Sequence, residues 1–416
     1  MSRDSAKSPY ARQPYDPPEA YITPERAYAS VDVIYDDIER TRGAVVSDFG
    51  AMGDGYTDDT VAIQNAINTA GIGATIVFPA GIYVVSSPIV PLKGQILTGA
   101  HTPRYQPDQY SDSVCQIKAT TGFSGAGVVL ASATAYGVRL ENLAIVGPGT
   151  AAVAKVHGVY FGAHGLCPGE RGWLLRDMSI YACSGGGVSG HMWVVDIRDT
   201  HIVQCGWGIL VEGDDAILDV RITGSQIYFC RHGGIVVDSS RRSGAVSIAQ
   251  TRVERSGGRY GLPGSPLDFS APGIRFTNAM TVDLVGVTTD ANTGVGLDLD
   301  KRSGGVLFSI VATACEFIRD GGGDQLGTTQ QPGVRIRNAS HIVFTSNNVL
   351  YGAADDGGAT PLLSPAYGVE LEGATQCFIA TSRLDVATDP FINGLRLVGA
   401  ENYGNRFELT AQGLST

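Results

Sequence analysis

The chain has 416 residues, of which 55 are glycine and only 17% are charged, and its formal net charge at pH 7 is −11. Glycine far above the usual share of about 7% is typical of many short strands joined by turns. The acidic balance argues against nucleic acid as a partner, because a nucleic-acid groove needs a basic stripe. No apolar run of about 18 residues is present, so we expect no membrane partner, and the first residues lack the apolar core of a secretory signal.

The seven cysteines are widely spaced and form no CxxC pair. This pattern favours buried thiols over a disulfide framework or a zinc site. We therefore expect neither a metal ion nor a cofactor.

Residues 1–44 are expected to form an N-terminal arm. The first part is rich in proline, tyrosine and charge, and residues 25–42 carry apolar residues at helical spacing with charges between them. One interpretation is an arm that docks to a larger assembly or joins subunits. The alternative is a disordered tail.

Residues 45–100 begin with a short apolar strand and a glycine-rich turn. Thr57, Asp58 and Asp59 offer N-cap chemistry for a helix, and Gly71 and Gly73 end it. The apolar face of that helix recurs at helical spacing and consists of Val61, Ile63, Ala66, Ile67 and Ala70. Short β-rich runs interrupted by proline and glycine follow.

This segment reads DFGAMGDGYTDDTVAIQNAI, then IVFPAGIYVV and GQILTG. It resembles the first segment of the pectate-lyase-like superfamily, which includes phage tailspike depolymerases, polygalacturonase-like hydrolases and polysaccharide lyases. The resemblance implies an all-β, single-stranded right-handed parallel β-helix whose N-terminal end is closed by an α-helix. It also implies a polysaccharide substrate, a homotrimer, a virion-associated or extracellular location, and an arm that attaches to an assembly such as a phage tail. From the last residues we expect no separate C-terminal module, which would be a departure from many tailspikes and is an argument against the trimer.

Residues 101–416 are predicted to form the body of the β-helix, because a repeat becomes visible from about residue 128. Cys183, Cys205 and Cys230 end similar strands and lie 22 and 25 residues apart. A coil that returns to the same corner at that interval would stack the three thiols in one internal ladder. Inert core packing is the favoured interpretation, and metal binding is the alternative.

A second strand in each repeat usually follows a glycine, which suggests a tight corner. The first apolar residues of these strands are Val159, Val188, Ile209, Ile235, Ile274, Val295, Val334, Val369 and Leu395. Some repeats are lengthened by insertions at 256–272, 320–332 and 352–365. Since rungs stack about 4.8 Å apart, insertions at one corner would form a wall beside a functional face.

The preferred catalytic site lies on the first strands, just before these insertions. Glycoside hydrolysis needs two carboxyl groups, about 5 Å apart for retention or about 6.5–9.5 Å apart for inversion. The candidate carboxylates are Glu254, Asp290, Glu316 and Asp320, and the candidate substrate-binding residues are Arg252, Arg255, Arg259, Tyr260 and Arg319. Arginines there would bind the carboxylates of an acidic polymer. The alternative is a set of ion pairs between rungs.

Glu212 and Asp238 form a second-choice catalytic pair. They occupy equivalent positions in consecutive repeats, and like charges on adjacent rungs would raise the pKa of one of them. The alternative assigns them to turns facing solvent.

The favoured function is a tailspike-like polysaccharide depolymerase that cleaves within the chain as an endo-glycoside hydrolase. A polysaccharide lyase is the first alternative, for which the available bases and cations are His201, His232, Tyr228, Tyr260 and Lys301. His201 and His232 occupy different repeat positions and are interpreted as turn residues. A non-catalytic glycan-binding or structural β-helix is the second alternative.

Overall fold

A computed structural model of the chain describes residues 43–100, 114–149, 154–162, 171–213, 218–239, 244–257, 268, 270–301, 303, 305, 307–322, 331–350, 365, 367–384, 394–399 and 402–409. The expected arm therefore lies outside the described residues, apart from its last two positions. Arg259 and Tyr260 also lie outside them, as do most residues of the three insertions.

The described chain winds into a parallel β-helix with three faces, which we number in the order that each rung visits them. Strands of adjacent rungs pair in parallel throughout. The first and second faces form one 23-stranded sheet and the third face forms a 10-stranded sheet. The predicted right-handed parallel β-helix is confirmed.

The strands of the first face are β1 (Ala44–Val45), β3 (Thr75–Phe78), β5 (Ile96–Gly99), β8 (Arg139–Glu141), β11 (Arg171–Arg176), β14 (Trp193–Arg198), β17 (Leu218–Thr223), β20 (Ala245–Ala249), β23 (Thr281–Val285), β26 (Phe308–Thr313), β29 (Ser340–Leu350), β31 (Phe378–Leu384) and β33 (Arg406–Leu409). Those of the second face are β2 (Asp54–Asp58), β4 (Gly81–Val85), β6 (Cys115–Ala119), β9 (Ala144–Val146), β12 (Ser179–Tyr181), β15 (His201–Val203), β18 (Gln226–Tyr228), β21 (Arg252–Glu254), β24 (Thr288–Asp290), β27 (Glu316–Ile318) and the last part of β29. Those of the third face are β7 (Gly127–Ala131), β10 (His157–Phe161), β13 (Gly186–Gly190), β16 (Trp207–Gly213), β19 (Gly233–Ser239), β22 (Ile274–Phe276), β25 (Leu297–Asp300), β28 (Val334–Arg337), β30 (Val369–Glu372) and β32 (Leu395–Val398).

The α-helix α1 (Thr60–Ala70) follows a 3₁₀ turn (Val46–Phe49) and ends at Gly71, as predicted. Its capping differs from the prediction. The Asp58 carboxylate accepts the backbone N–H of Thr60 at 3.0 Å, whereas Asp59 turns back and accepts the N–H groups of Met52 and Gly53 at 2.7 and 3.0 Å. The aspartates of this segment therefore hold the glycine-rich turn and the helix start together.

Within the described ranges, no helix has the length and apolar character needed to span a membrane.

Alternation along each strand points every second side chain inward and fills the interior with apolar columns. On the third face Ile209, Ile235 and Ile274 are fully buried and in register. The next residue in that column is Leu297, not Val295. The predicted strand start was therefore wrong by two residues. Val295 resembles a strand residue in the sequence because it is also buried, but it lies at the corner before the strand.

The predicted cysteine ladder is confirmed. Cys183, Cys205 and Cys230 each follow a second-face strand by two residues, and all are free and buried. The same corner position continues in the following rungs with Ser256, Asn292 and Asp320, which are also buried. The ladder changes from thiols to hydrogen-bonding groups and stays inside the coil.

The glycines that open the third-face strands are explained by contacts across the interior. A Cβ on Gly208 would lie 2.3 Å from Cγ2 of Ile227 and 2.5 Å from the carbonyl oxygen of Gly234. The φ angle of Gly208 is one that other residues also adopt, so the predicted tight corner does not explain why glycine is present there. The interior there is too narrow for a side chain.

Gly208→Ala is therefore expected to destabilise the fold by about 1–3 kcal/mol, the usual cost of overpacking a rigid core. Gly122→Ala is the control, because a Cβ there has no heavy atom within 4 Å. Chemical denaturation followed by circular dichroism measures both variants. Equal midpoints for Gly208→Ala and Gly122→Ala would contradict this account of the corner.

Candidate functional site

Four side chains meet at the corner between the second and third faces, and we call them the corner cluster: Lys155, Trp207, His232 and Asp268. Lys155 comes just before β10, Trp207 begins β16, His232 directly precedes β19, and Asp268 belongs to the insertion at 256–272. Each therefore stands where its rung turns into the third face. Parallel stacking brings these turns side by side although they are distant in sequence.

Direct contacts join the four side chains in a row. The Lys155 ammonium lies 5.0 Å from the centroid of the Trp207 ring, and the rings of Trp207 and His232 are 4.7 Å apart. Nδ1 of His232 lies 3.1 Å from Oδ2 of Asp268. The result is a cation, an aromatic platform and a histidine–carboxylate pair at one place on the surface.

The carboxylate of Asp268 is held in its charged form. The hydrogen bond from His232 and those from the Ser270 backbone and hydroxyl lower the pKa of Asp268 to about 2. Asp268 occupies Nδ1 of the imidazole, and among the described residues no group forms a hydrogen bond with Nε2. The side chains of His232 and Asp268 are 32% and 29% exposed, so a ligand can reach the pair.

Glu212 and Asp238 lie on the outer side of the third face and are directly paired in register, as predicted. Burial, and then the charge of Asp238, raise the pKa of Glu212, while Lys155 opposes the rise. Asp238 accepts a hydrogen bond from Thr277 at 2.6 Å. Glu212 is thus electrostatically linked to the cation of the corner cluster.

The preferred carboxylates of the sequence analysis are partly brought together on the second face. Glu254 and Asp290 are paired in register on adjacent rungs. Glu316 instead aligns with Thr288, which lies two residues before Asp290 on the same strand. Tyr228 precedes Glu254 in the same column, and its hydroxyl donates to Gln226 at 2.5 Å.

Arginines hold this second-face pair tightly. Arg319 binds Asp290 through two hydrogen bonds of 2.8 and 2.5 Å, and Arg252 pairs with Glu254 and lies 3.7 Å from Asp290. The side chains of Glu254 and Asp290 are only 13% and 8% exposed. Burial raises the pKa of Glu254, against the opposing effect of Arg252. Arg255 lies over the ring of Phe229 at 5.7 Å.

Asp320 does not reach the surface, and the expectation that it takes part in catalysis is corrected. It is fully buried and accepts hydrogen bonds from the Thr289 hydroxyl at 2.5 Å and from Asn292 at 2.8 and 3.0 Å. In the rungs that carry the cysteines, the second residue after each second-face strand points inward. Asp320 is the second residue after β27, which ends at Ile318, so the same rule would have placed Asp320 inside the coil.

The corner cluster was missed from the sequence because His232 and Asp268 are 36 residues apart and Asp268 lies in an insertion. The available signal was that Trp207 and His232 both stand at the glycine corner that opens a third-face strand. His201 lies within a second-face strand instead, so the two histidines do not converge. No three described His, Cys, Asp or Glu side chains are grouped so that they could hold a metal ion.

Residues 44–145 match the family described as rhamnogalacturonase A/epimerase, pectate lyase-like, which confirms the resemblance seen in the N-terminal segment. Two curated relatives from Azotobacter vinelandii are mannuronan C5-epimerases. AlgE2 is 33% identical over 168 residues, which is 37% of this chain and 16% of that protein. AlgE1 is 34% identical over 183 residues, which is 37% of this chain and 12% of that protein. The chain therefore matches only a small part of the length of either relative.

Two solved structures share the fold. The enzymatically active domain of tailspike protein 2 from bacteriophage CBA120 has a TM-score of 0.53 at 14% identity, covering 86% of this chain and 46% of that one. The DFA-IIIase from Arthrobacter chlorophenolicus A6 has a TM-score of 0.53 at 14% identity, covering 87% and 93%. At these identities the similarity extends to the β-helix fold alone.

Proposed function

We propose that this β-helix is an enzyme that acts on an acidic, uronate-containing polysaccharide at the corner cluster. The observation that carries the proposal is the His232–Asp268 pair beside Trp207 and Lys155. The identity to mannuronan C5-epimerases over part of the chain supports a uronate polymer as the substrate. The chemistry is removal of the proton on C5, next to the uronate carboxylate.

Each residue of the corner cluster has a distinct task in this reaction. Nε2 of His232 takes the C5 proton as general base, and Asp268 holds the imidazole in the required tautomer. Lys155 pairs with the uronate carboxylate and so stabilises the carbanion that forms. Trp207 supports the face of the sugar ring.

Two outcomes follow from the same carbanion. In elimination the C4–O4 bond breaks, a C4=C5 double bond forms, and a proton passes to the leaving oxygen. In epimerisation a proton returns to C5 from the opposite face and no bond of the chain breaks. Glu212, whose pKa is raised by burial, is the proposed proton donor in either case.

Incubation with mannuronan in deuterated water tests this function. Elimination gives the ultraviolet absorbance of an unsaturated uronate, and epimerisation gives deuterium at C5 with inverted configuration by NMR. Absence of both signals, together with absence of new reducing ends, would favour the non-catalytic alternative, a β-helix that binds glycan without converting it.

The second candidate is an endo-glycoside hydrolase that uses Glu254 and Asp290. Its support is their pairing on adjacent rungs, since a strand spacing of about 4.8 Å is close to the carboxyl separation of about 5 Å in retaining enzymes. Glu254, with its raised pKa, would be the acid and Asp290 the nucleophile. Arg252, Arg255 and Arg319 would contact the substrate, and Glu316 would be an alternative partner of Glu254.

If hydrolysis is the activity, Glu254→Gln is expected to lower the release of reducing ends by roughly 10²-fold or more, because glutamine cannot donate the proton. Glu316→Gln tests the alternative partner. Full activity in both variants would remove the second face from consideration. His232→Gln is the matched comparison, since it would leave hydrolysis at the second face intact.

A homotrimer, a virion-associated or extracellular location and docking through residues 1–44 remain predictions. The shared fold of a phage tailspike domain supports them only at the level of architecture. Sedimentation of the full chain measures the first of these, and a monomer at all concentrations would contradict it.

A further inference from the structure

The last rungs of the β-helix contain a notch of about 520 Å³ at the corner between the third and first faces. This corner differs from the one that carries the corner cluster. The notch is lined by His341, Gln376, Cys377, Phe378, Gly404 and Arg406.

Two columns of stacked residues form the notch. Val343, Phe378 and Arg406 are in register on three successive rungs of the first face. Two positions earlier in each rung, His341, Gln376 and Gly404 have left-handed backbone conformations, with φ of 58°, 53° and 70°. Gly404 adds no side chain, and a Cβ there would lie 3.5 Å from Cγ of Gln376, so the notch stays open.

Planar and polar side chains lie together at the notch. The rings of Phe308 and His341 are 4.4 Å apart, and Phe308 is 41% exposed. The Arg406 guanidinium lies 5.4 Å from the Phe378 ring and also pairs with Glu408. The exposed amide of Gln376 makes no hydrogen bond to any described side chain or backbone group.

We propose that this notch is a second saccharide-binding site, for a uronate residue of the polymer. The faces of Phe378 and His341 pack against the sugar ring, Gln376 bonds a hydroxyl, and Arg406 binds the carboxylate. The acidic character of the ligand rests on the proposed function. The site holds no histidine–carboxylate pair, so its role is to bind and not to react.

The notch is far from the corner cluster along the helix axis. Five strand pairings separate β18, which precedes His232, from β31, which contains Phe378, and five strand spacings correspond to about 24 Å. A disaccharide cannot extend between the two sites, whereas a polymer can. The notch therefore holds long chains near the catalytic corner and leaves turnover of short substrates unchanged.

Affinity electrophoresis in gels cast with mannuronan tests the site, in the His232→Gln background so that turnover does not hide binding. Arg406→Glu and Phe378→Ala are each expected to weaken retention about tenfold, a loss of about 1.4 kcal/mol. Arg406 is 75% exposed, so its replacement tests the notch even if Phe378→Ala misfolds. Tyr136→Ala is the control, because that exposed tyrosine also carries a cation, Lys93 at 4.3 Å, but lines no part of the notch.

Retention of Arg406→Glu equal to that of its parent overturns the proposal, and so does a parent that mannuronan does not retard. Product formation by the unaltered chain is measured separately. If the notch variants lose retention but the unaltered chain forms no product, the notch proposal stands and the catalytic proposal is rejected. If the unaltered chain forms product but the notch variants are retained like their parent, the catalytic proposal stands and the notch proposal is rejected.

Discussion

His232→Gln is expected to lower product formation from mannuronan by roughly 10²- to 10⁴-fold, the usual contribution of a positioned general base. Glutamine can still donate a hydrogen bond to Asp268, so the corner keeps its shape, but it cannot accept a proton at neutral pH. The loss should therefore appear in kcat, with KM little changed. Ultraviolet absorbance and deuterium incorporation at C5 measure the two possible products.

Asp268→Asn is expected to reduce the same rate, because an amide can offer its N–H to Nδ1 and so favour the wrong tautomer of His232.

The hydrogen-bonded pair of His232 and Asp268 in the wild-type protein should persist in mild acid. The pKa of Asp268 is lowered from 3.8 to about 2, so the stability that its charge contributes is present above pH 3.8 and is lost only as the pH falls towards about 2. Activity lost well above that range has another cause.

His201→Gln is the matched control for these variants, since it alters a histidine on the second face outside the corner cluster. Activity within about twofold of wild type is expected. If His201→Gln abolished turnover while His232→Gln retained it, the corner cluster would not be the site, and the second face would become the better candidate.

The second large effect concerns stability: the free energy of unfolding is expected to fall as the pH rises from about 4 to about 7. Burial raises the pKa of Asp320 from 3.8 to about 7, although hydrogen bonds from Thr289 and Asn292 oppose the rise. Between these values the folded state keeps a proton that the unfolded state has lost, so raising the pH favours unfolding. The contribution is complete below pH 3.8 and is lost by about pH 7, a total of about 4 kcal/mol.

Asp320→Asn should flatten this pH dependence, because asparagine has a similar shape and no titrating proton. Denaturant unfolding at several pH values measures the slope for both proteins. The control is Asp54→Asn, at an exposed carboxylate near the N-terminal end. Parallel slopes for wild type and Asp320→Asn would show that the buried ladder does not titrate in this range.

The resemblance of the N-terminal segment implied the β-helix, and the repeat pattern then predicted how far it extends and much of its interior. Alternation of apolar and polar residues is a local property, and the parallel stacking of rungs converts it into columns. That is why the spacing of Cys183, Cys205 and Cys230 was enough to place them in one internal ladder. The α1 boundaries were equally local, since Gly71 ends the helix where the pattern ends.

The role of particular polar residues could not be obtained from local patterns in the same way. Asp320 looked like a partner of Glu316 because it follows it closely, yet it continues the cysteine ladder and is fully buried. Glycines such as Gly208 suggested turns, whereas the reason for them is a side chain on another face of the coil. In both cases the deciding contact comes from another rung or another face.

The sequence by itself therefore determined the architecture of this protein: a capped, glycine-rich coil with its apolar columns inside. Only the tertiary structure decided where its reactive groups meet. Rungs of unequal length bring Asp268 from an insertion to His232, 36 residues away, and stacking of the last rungs brings His341, Phe378 and Arg406 together around the notch. Alternation specifies which way a side chain points, but the lengths and paths of the connections set which side chains become neighbours.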